Sequence, residues 1–330
     1  RFRNVTGVQT CALPICGRGR GGPPANATPE KLARIEIMTL NHSQMIKRPW
    51  DAESPQRTLN IFDLPQYYVD MYGVRNVEFQ SNDVCQTKDY DNPDMSYIRE
   101  LRAALDKAGC KSHQINIEIG QMANLNPQTA KAEALSGDAR AAWLARAKKW
   151  VDLSPTLGVT ILMHNQGALT DDSKAGVTSL WKELQDYATP KGVKISGETR
   201  GSGAPTLNQG RGGQGAPATP APAAPQMSEK ERIRYVWGIL MECTKGSGGW
   251  TNLDFGGDTR FHTQDELHEA IKVMLPRNSG GMHTRVSPTW DLGLAIKYAE
   301  SIGFRGRYTI EVNDDAAVRI VYNTILANLT

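Results

Sequence analysis

From Leu32 onward, short runs rich in β-branched and aromatic residues alternate with amphipathic runs of helical spacing, and the alternation repeats eight times. The β-rich runs lie at 34–39 (RIEIMT), 74–80 (VRNVEFQ), 112–118 (SHQINIE) and 159–165 (VTILMHN), then at 192–198 (GVKISGE), 250–256 (WTNLDFG), 281–286 (GMHTRV) and 307–313 (RYTIEVN). Between them, residues 94–108 set Ile98, Leu101 and Leu105 three and four apart, and 289–302 do the same with Leu292, Ile296 and Tyr298/Ala299. Gly73, Gly109, Gly158, Gly192 and Gly303 stand where helices give way to the next strand. Strands joined through helices pair in parallel. Eight such units predict an α/β fold, a closed (β/α)8 TIM barrel, in one domain over 31–330. The rival, an open doubly wound sheet for a dinucleotide, would carry a glycine-rich turn after its first strand. Met38–Met45 reads MTLNHSQM instead.

Two stretches stand outside the alternation. Residues 201–226 hold six Gly, six Ala and five Pro in 26 positions, with Leu207 the only large aliphatic. That composition cannot bury a core and is expected to form a disordered insertion on the C-terminal face after the fifth strand, a tolerated surface loop rather than a functional lid. Residues 1–30 are read as an artefactual or disordered segment. Within it, residues 5–15 (Val-Thr-Gly-Val-Gln-Thr-Cys-Ala-Leu-Pro-Ile) resemble the translation of a sequencing adapter, and 17–29 (GRGRGGPPANATP) has the composition of a linker. Asn26-Ala27-Thr28 matches a glycosylation sequon only weakly. Such a segment is set aside in fold reasoning, and the compartment, cytoplasmic or exported to a periplasm, stays open. Without both stretches about 270 residues remain, near the ~250 typical of this barrel.

The formal net charge of +3 comes from the same head, where Arg1, Arg3, Arg18 and Arg20 face no acid. Taking these four from the 38 Lys and Arg leaves 34 against 35 Asp and Glu, a net of −1. A protein that neutralises phosphates would show a basic excess, so no nucleic-acid partner is expected. No apolar run approaches the ~18 residues of a membrane span, so no membrane partner is expected. Cys11 and Cys16 fall in the head. Cys85, Cys110 and Cys243, widely spaced and without a CxxC, imply buried free thiols rather than a disulfide framework or a structural zinc site.

Chemistry in such a barrel sits where strands end and βα-loops begin. Reading each C-terminal strand end gives Glu78, Glu118, Asn165, Glu198, Asp254, His283 and Glu311. Ile310 and Val312 flank Glu311, and Leu253 and Phe255 flank Asp254, so both carboxylates are predicted to point into the barrel mouth. His283 and Arg285, two apart, share that direction. Three carboxylates converging on a partly dehydrated mouth repel one another unless compensated. One divalent cation held by three oxygens and an imidazole removes the conflict, and the mixed donor set suits Mn²⁺, Zn²⁺, Co²⁺ or Mg²⁺ without choosing among them. For any one of these residues a solvated strand end is the plainer reading; four on successive strands favour the metal.

In this order the motifs resemble the xylose isomerase-like superfamily of sugar phosphate isomerases and epimerases, which also holds the AP endonuclease family 2-like enzymes. The resemblance runs from about Ile35 to Leu329, insertion excepted, and is strongest over 192–313. In that family a strand-five Glu, a strand-six Asp in an LDFG-like setting, a strand-seven His and a strand-eight Glu bind one divalent metal. This implies Glu198, Asp254, His283 and Glu311 as ligands, with Glu198 and Glu311 also the catalytic acid–base pair. Arg285 stands where many relatives carry a basic residue, and Gly73-Val-Arg-Asn-Val-Glu78 matches a common G-x-x-x-V/I-E pattern. There are departures. Thr199 replaces a frequent Asn, and the Asp-x-x-His of ketose 3-epimerases is missing, since Gly257 follows Asp254 by three. His262 is the candidate substitute, although a surface position suits it better. The multi-histidine, three-zinc pattern of the DNA-repair branch is absent.

The activity so implied is metal-dependent sugar isomerisation or epimerisation, by proton transfer next to a carbonyl of a small carbohydrate substrate. Arg285, Glu78, His164, His113 and His262 are assigned to the substrate, with Glu118 beside them; for His113, His164 and Glu118 a place in barrel packing or behind the ligands is an equally open reading. Trp50, Trp250 and Trp290 are candidate platforms for a sugar ring. Two alternatives stay open: a keto-inositol dehydratase-like lyase, and a sugar-binding barrel without turnover. Many relatives are dimers or tetramers, so a homo-oligomer is compatible.

Overall fold

The structure, a computed structural model, describes residues 22–48, 50, 57–87, 89, 93–126, 128–129, 131–199, 228–256 and 260–330. Eight parallel strands form its centre: β1 Ile35–Met38, β2 Asn76–Gln80, β3 Gln114–Ile117, β4 Ile161–His164, β5 Lys194–Glu198, β6 Trp250–Asp254, β7 Asn278–Thr284 and β8 Arg307–Ile310. They pair in the closed order β1-β8-β7-β6-β5-β4-β3-β2. β1 closes the ring, with Ile35 opposite Tyr308 of β8 and Met38 opposite Glu78 of β2. Each strand is followed by a helix: α1 Leu64–Tyr72, α2 Met95–Ala108, α3 Gly137–Leu157, α4 Lys174–Ala188, α5 Ile239–Ser247, α6 Gln264–Met274, α7 Leu292–Ser301 and α8 Asp315–Asn328. This is the predicted TIM barrel, and every predicted strand overlaps an observed one. The insertion at 201–226 and most of the head at 1–30 lie outside the described residues. Residues 22–30 are described, and there Thr28 caps a helical turn at Pro29–Leu32 while Ala27 packs against the core.

Strand alternation sorts the side chains into two environments. Ile35, Ile37, Val77, Phe79, Ile115, Leu162, Ile195, Leu253, Met282, Tyr308 and Ile310 join one buried apolar cluster with the helices, to which Trp143, Trp150 and Trp181 contribute the largest groups. Each fully buried aliphatic or Phe side chain there contributes ~1.5–3 kcal/mol. The other face is polar. Glu36 accepts from Thr309 Oγ1 at 3.0 Å, Gln114 donates to Glu78 at 2.9 Å, and Asn252 donates to Met163 Sδ at 2.9 Å, all buried. Chemistry-bearing groups therefore line the inside, while the stabilising core lies between strands and helices.

The first and last units are sewn together at the same rim. Asn41 donates to the Ile310 carbonyl at 2.7 Å and accepts from the Val312 N–H at 2.5 Å. Asp315, opening α8, accepts from Tyr72 Oη at 2.5 Å and faces His42 Nε2 at 3.5 Å. At the opposite end of the barrel, Arg34 binds Glu300 bidentately at 2.7 and 2.8 Å. Cys85, Cys110 and Cys243 are buried free thiols. Among the described residues no helix is long and apolar enough to cross a membrane.

Two tests follow from this packing. A Cβ on Gly197 would meet Trp181 Cη2 at 2.5 Å and Leu240 Cδ1 at 3.1 Å, so Gly197→Ala overpacks the β5–α4 contact. It is expected to cost ~1–3 kcal/mol in urea unfolding. The hydrogen bond from His42, with help from Tyr72, holds the Asp315 carboxyl down to about 2. An unfolded Asp titrates near ~3.9, so the carboxylate's contribution is complete above that pH and is lost as the pH falls toward about 2. The stability gap between wild type and Asp315→Asn should accordingly shrink on acidification; a gap independent of pH would exclude the carboxylate as its source.

Candidate metal centre

Glu198 closes β5, Asp254 closes β6, His283 lies near the end of β7, and Glu311 follows β8. Parallel register brings them level, with Asp254 opposite His283 and Glu198 opposite Asn252. One ligand atom from each lies within 4.8 Å of the others, and all four residues are buried. His283 Nδ1 is 3.0 Å from Glu198 Oε1 and 3.1 Å from Glu311 Oε2. Neighbouring groups fix the carboxylate-bearing backbone. The Thr199 hydroxyl donates to the Asp254 carbonyl at 2.8 Å and accepts from the Asp254 N–H at 2.9 Å. The Gly256 N–H donates to Asp254 Oδ1 at 2.7 Å, and Gln166 Nε2 donates to the Glu198 carbonyl.

The second nitrogen of the imidazole faces down into the barrel. His283 Nε2 is 3.0 Å and 3.1 Å from the two oxygens of Glu78, which is itself held by Gln114. An imidazole that donates Nε2–H to Glu78 presents a lone pair at Nδ1 toward Glu198 and Glu311. Glu78, expected at the substrate, lies beneath His283 with its carboxylate against the imidazole. Gln114 was not singled out in the sequence, although it is the inward neighbour of His113 by strand parity.

Two guanidinium groups meet the carboxylates at the rim. Arg285 Nη2 lies 2.6 Å from Glu311 Oε2 and 3.2 Å from Asp254 Oδ2, and Arg260 Nη1 contacts Asp254 Oδ2. Burial pushes the Asp254 carboxyl up to about 6, against the pull of both arginines. Burial acts the same way on Glu311, but the close Arg285 guanidinium and the His283 hydrogen bond win and hold it well below the usual carboxylate range. Burial also raises Glu78, opposed by His283. For His283 burial disfavours the cation, yet the Glu78 charge and the hydrogen bonds it donates to three glutamates raise it well above an ordinary histidine.

The remaining histidines are elsewhere. His164 follows inward-facing Met163 and so turns outward, its ring set edge-on against Trp143 and Trp181 with centroids 6.0 and 4.6 Å away. His113 precedes β3, at the N-terminal end of the barrel, where burial lowers it below an ordinary histidine. His262 is exposed in the turn before α6, its N–H donating to Glu266 at 2.7 Å. None of the three joins the four-residue cluster, because strand parity or strand end places each away from it. Trp250 opens β6 at the N-terminal end under Lys194, and Trp290 packs edge-on against Phe255. Trp50 lies on the loop after β1, beside Arg48. Glu118, just past β3, accepts from Asn116 at 2.9 Å.

Three carboxylates and one imidazole, gathered without an apolar neighbour between them, are a donor set that fits a divalent cation. The imidazole is already oriented from behind, as metal-binding histidines are.

No protein-family model and no curated protein matches the sequence. Solved structures do. The chain is similar to a sugar phosphate isomerase/epimerase from Parabacteroides distasonis at 14% identity and TM-score 0.56, covering 89% of this chain and 94% of that one. It is similar to the 3-keto-D-glucoside 4-epimerase YcjR from E. coli at 11% identity and TM-score 0.55, covering 90% and 99%. A xylose isomerase-like TIM barrel protein from Mycobacterium smegmatis, in complex with magnesium, matches at 14% identity and TM-score 0.54, covering 92% and 100%. These neighbours share the fold that the sequence motifs resemble.

If Glu78 orients His283, Glu78→Ala should weaken Mn²⁺ binding by ~10–100-fold in calorimetric titration, while Glu78→Gln, which keeps one acceptor oxygen, loses less. Equal affinity in all three proteins would remove Glu78 from that role.

Proposed function

We propose that the protein is a divalent-metal-dependent sugar isomerase or epimerase that moves a proton at the carbon next to a carbonyl. The observation that carries this reading is the meeting of Glu198, Asp254, His283 and Glu311, from four successive strands, around one point. The sugar isomerase and epimerase names of the structural neighbours support it. A cation held by these four residues supplies Lewis-acid polarisation of the carbonyl and neutralises the charge that develops on its oxygen.

The protein's own groups divide the proton work. Glu311, at the end of β8 and ionised beside Arg285, would accept the proton from carbon, although the arginine weakens it as a base. Glu198, reaching the same centre from β5, would return the proton to the opposite face. Arg285, 17% exposed and paired with Glu311, would meet the negative charge that develops on the substrate oxygen. Asp254 and His283 hold position: Thr199 and Gly256 clasp the first, and Glu78 the second.

The test is a panel of unphosphorylated and phosphorylated ketoses incubated in D₂O with Mn²⁺-loaded protein. Deuterium at the carbon beside the carbonyl of recovered sugar, without loss of water, is the expected result. Glu198→Gln and Glu311→Gln should each slow it ~10²–10⁴-fold. Elimination of water would assign a lyase instead, and no exchange with any member of the panel would reject the isomerase reading.

A further inference from the structure

Arg260 comes from the loop after β6, six residues beyond Asp254, and is 6% exposed. Its guanidinium turns back over the strand end and its Nη1 contacts Asp254 Oδ2. The other oxygen of Asp254, Oδ1, is engaged by the Gly256 N–H at 2.7 Å. Arg260 therefore occupies Oδ2, one of the two oxygens through which Asp254 would serve a cation at the centre. Gly256 makes the path of Arg260 available. Its φ is +62°, and a Cβ there would overlap Arg260 Cδ and Nη1. Arg285 reaches Oδ2 less closely, at 3.2 Å, and has Glu311 as its nearer partner at 2.6 Å. The two arginines are thus not equivalent: one has Glu311 as its nearer partner, the other is seated on the Asp254 carboxylate. A divalent cation and a guanidinium at one carboxylate oxygen repel each other at contact distance in a site shielded from water.

We propose that Arg260 is a resident counter-cation: it neutralises Asp254 in the metal-free protein, gives way when a divalent ion binds, and so sets the affinity of the centre. The proposal rests on the four-residue metal reading above but not on the isomerase activity. It explains how the protein folds around buried like charges before it meets a metal, since an unpaired buried carboxylate is strongly disfavoured.

The experiment is Mn²⁺ titration by calorimetry of the full chain, stripped with chelator, as wild type, Arg260→Gln and Arg260→Lys. Removing the competing charge should tighten Mn²⁺ binding at least about tenfold in Arg260→Gln, while Arg260→Lys stays within about threefold of wild type. In chelator Arg260→Gln should melt below wild type, yet gain more in Tm from saturating Mn²⁺. Arg260→Met, of similar length and uncharged, is read the same way should the Gln variant fail to fold. Equal or weaker Mn²⁺ affinity in the folded uncharged variant overturns the proposal. So does a Mn²⁺-loaded wild-type crystal structure with the guanidinium still on Asp254 Oδ2. Absence of Mn²⁺ binding in every protein, wild type included, overturns the metal reading itself.

Discussion

Three buried carboxylates around one imidazole impose the condition that the rest of the barrel meets. Each would be disfavoured alone in a site shielded from water, and together they repel. The fold answers with hydrogen bonds and charge. Glu198 and Glu311 share the His283 imidazole, Arg285 lies on Glu311, and Arg260 lies on Asp254. Below them Glu78, itself held by Gln114, accepts from the other nitrogen of the imidazole. The cluster is a balanced electrostatic unit, so a change in any member is felt by the others rather than locally.

That balance is affordable because stability is generated elsewhere. The apolar core is a sleeve between strands and helices, filled by Ile, Leu, Val and four buried tryptophans. The barrel interior is left to Glu36, Gln114, Asn252 and Thr309, which are held by hydrogen bonds instead of apolar packing. Separating the two environments by strand parity lets polar residues accumulate inside without thinning the core that holds the strands together.

The architecture was legible because each strand–helix unit carries its own periodicity, and the four candidate ligands because each stands at a strand end between outward apolar neighbours. Leu253 and Phe255 bracket Asp254, and Ile310 and Val312 bracket Glu311. The same parity, applied to β4, would have turned His164 outward, since it sits next to Met163 on a strand whose inward positions touch Gln114 and Asn252. His113 was misplaced for a different reason: a residue-type search finds a histidine near a strand but does not say which end of it. Glu78 was read from its strand end, but the imidazole above it, 3.0 Å from its carboxylate, leaves no signal in the sequence. Arg260 left no periodic signal at all. It lies in a loop, and its position depends on the space left by Gly256, a tertiary fact.

The seam between the first and last units has a consequence for how this protein comes into being. Glu311 and the loop that carries it are anchored by Asn41, from the start of the chain, through Ile310 and Val312. During synthesis the ring stays open until the final strand leaves the ribosome and finds β1. A nascent chain has Glu198, Asp254 and His283 before their fourth companion, so completion of the centre waits on the eighth strand. Loss of either seam strand should act on the centre as surely as a lesion within it.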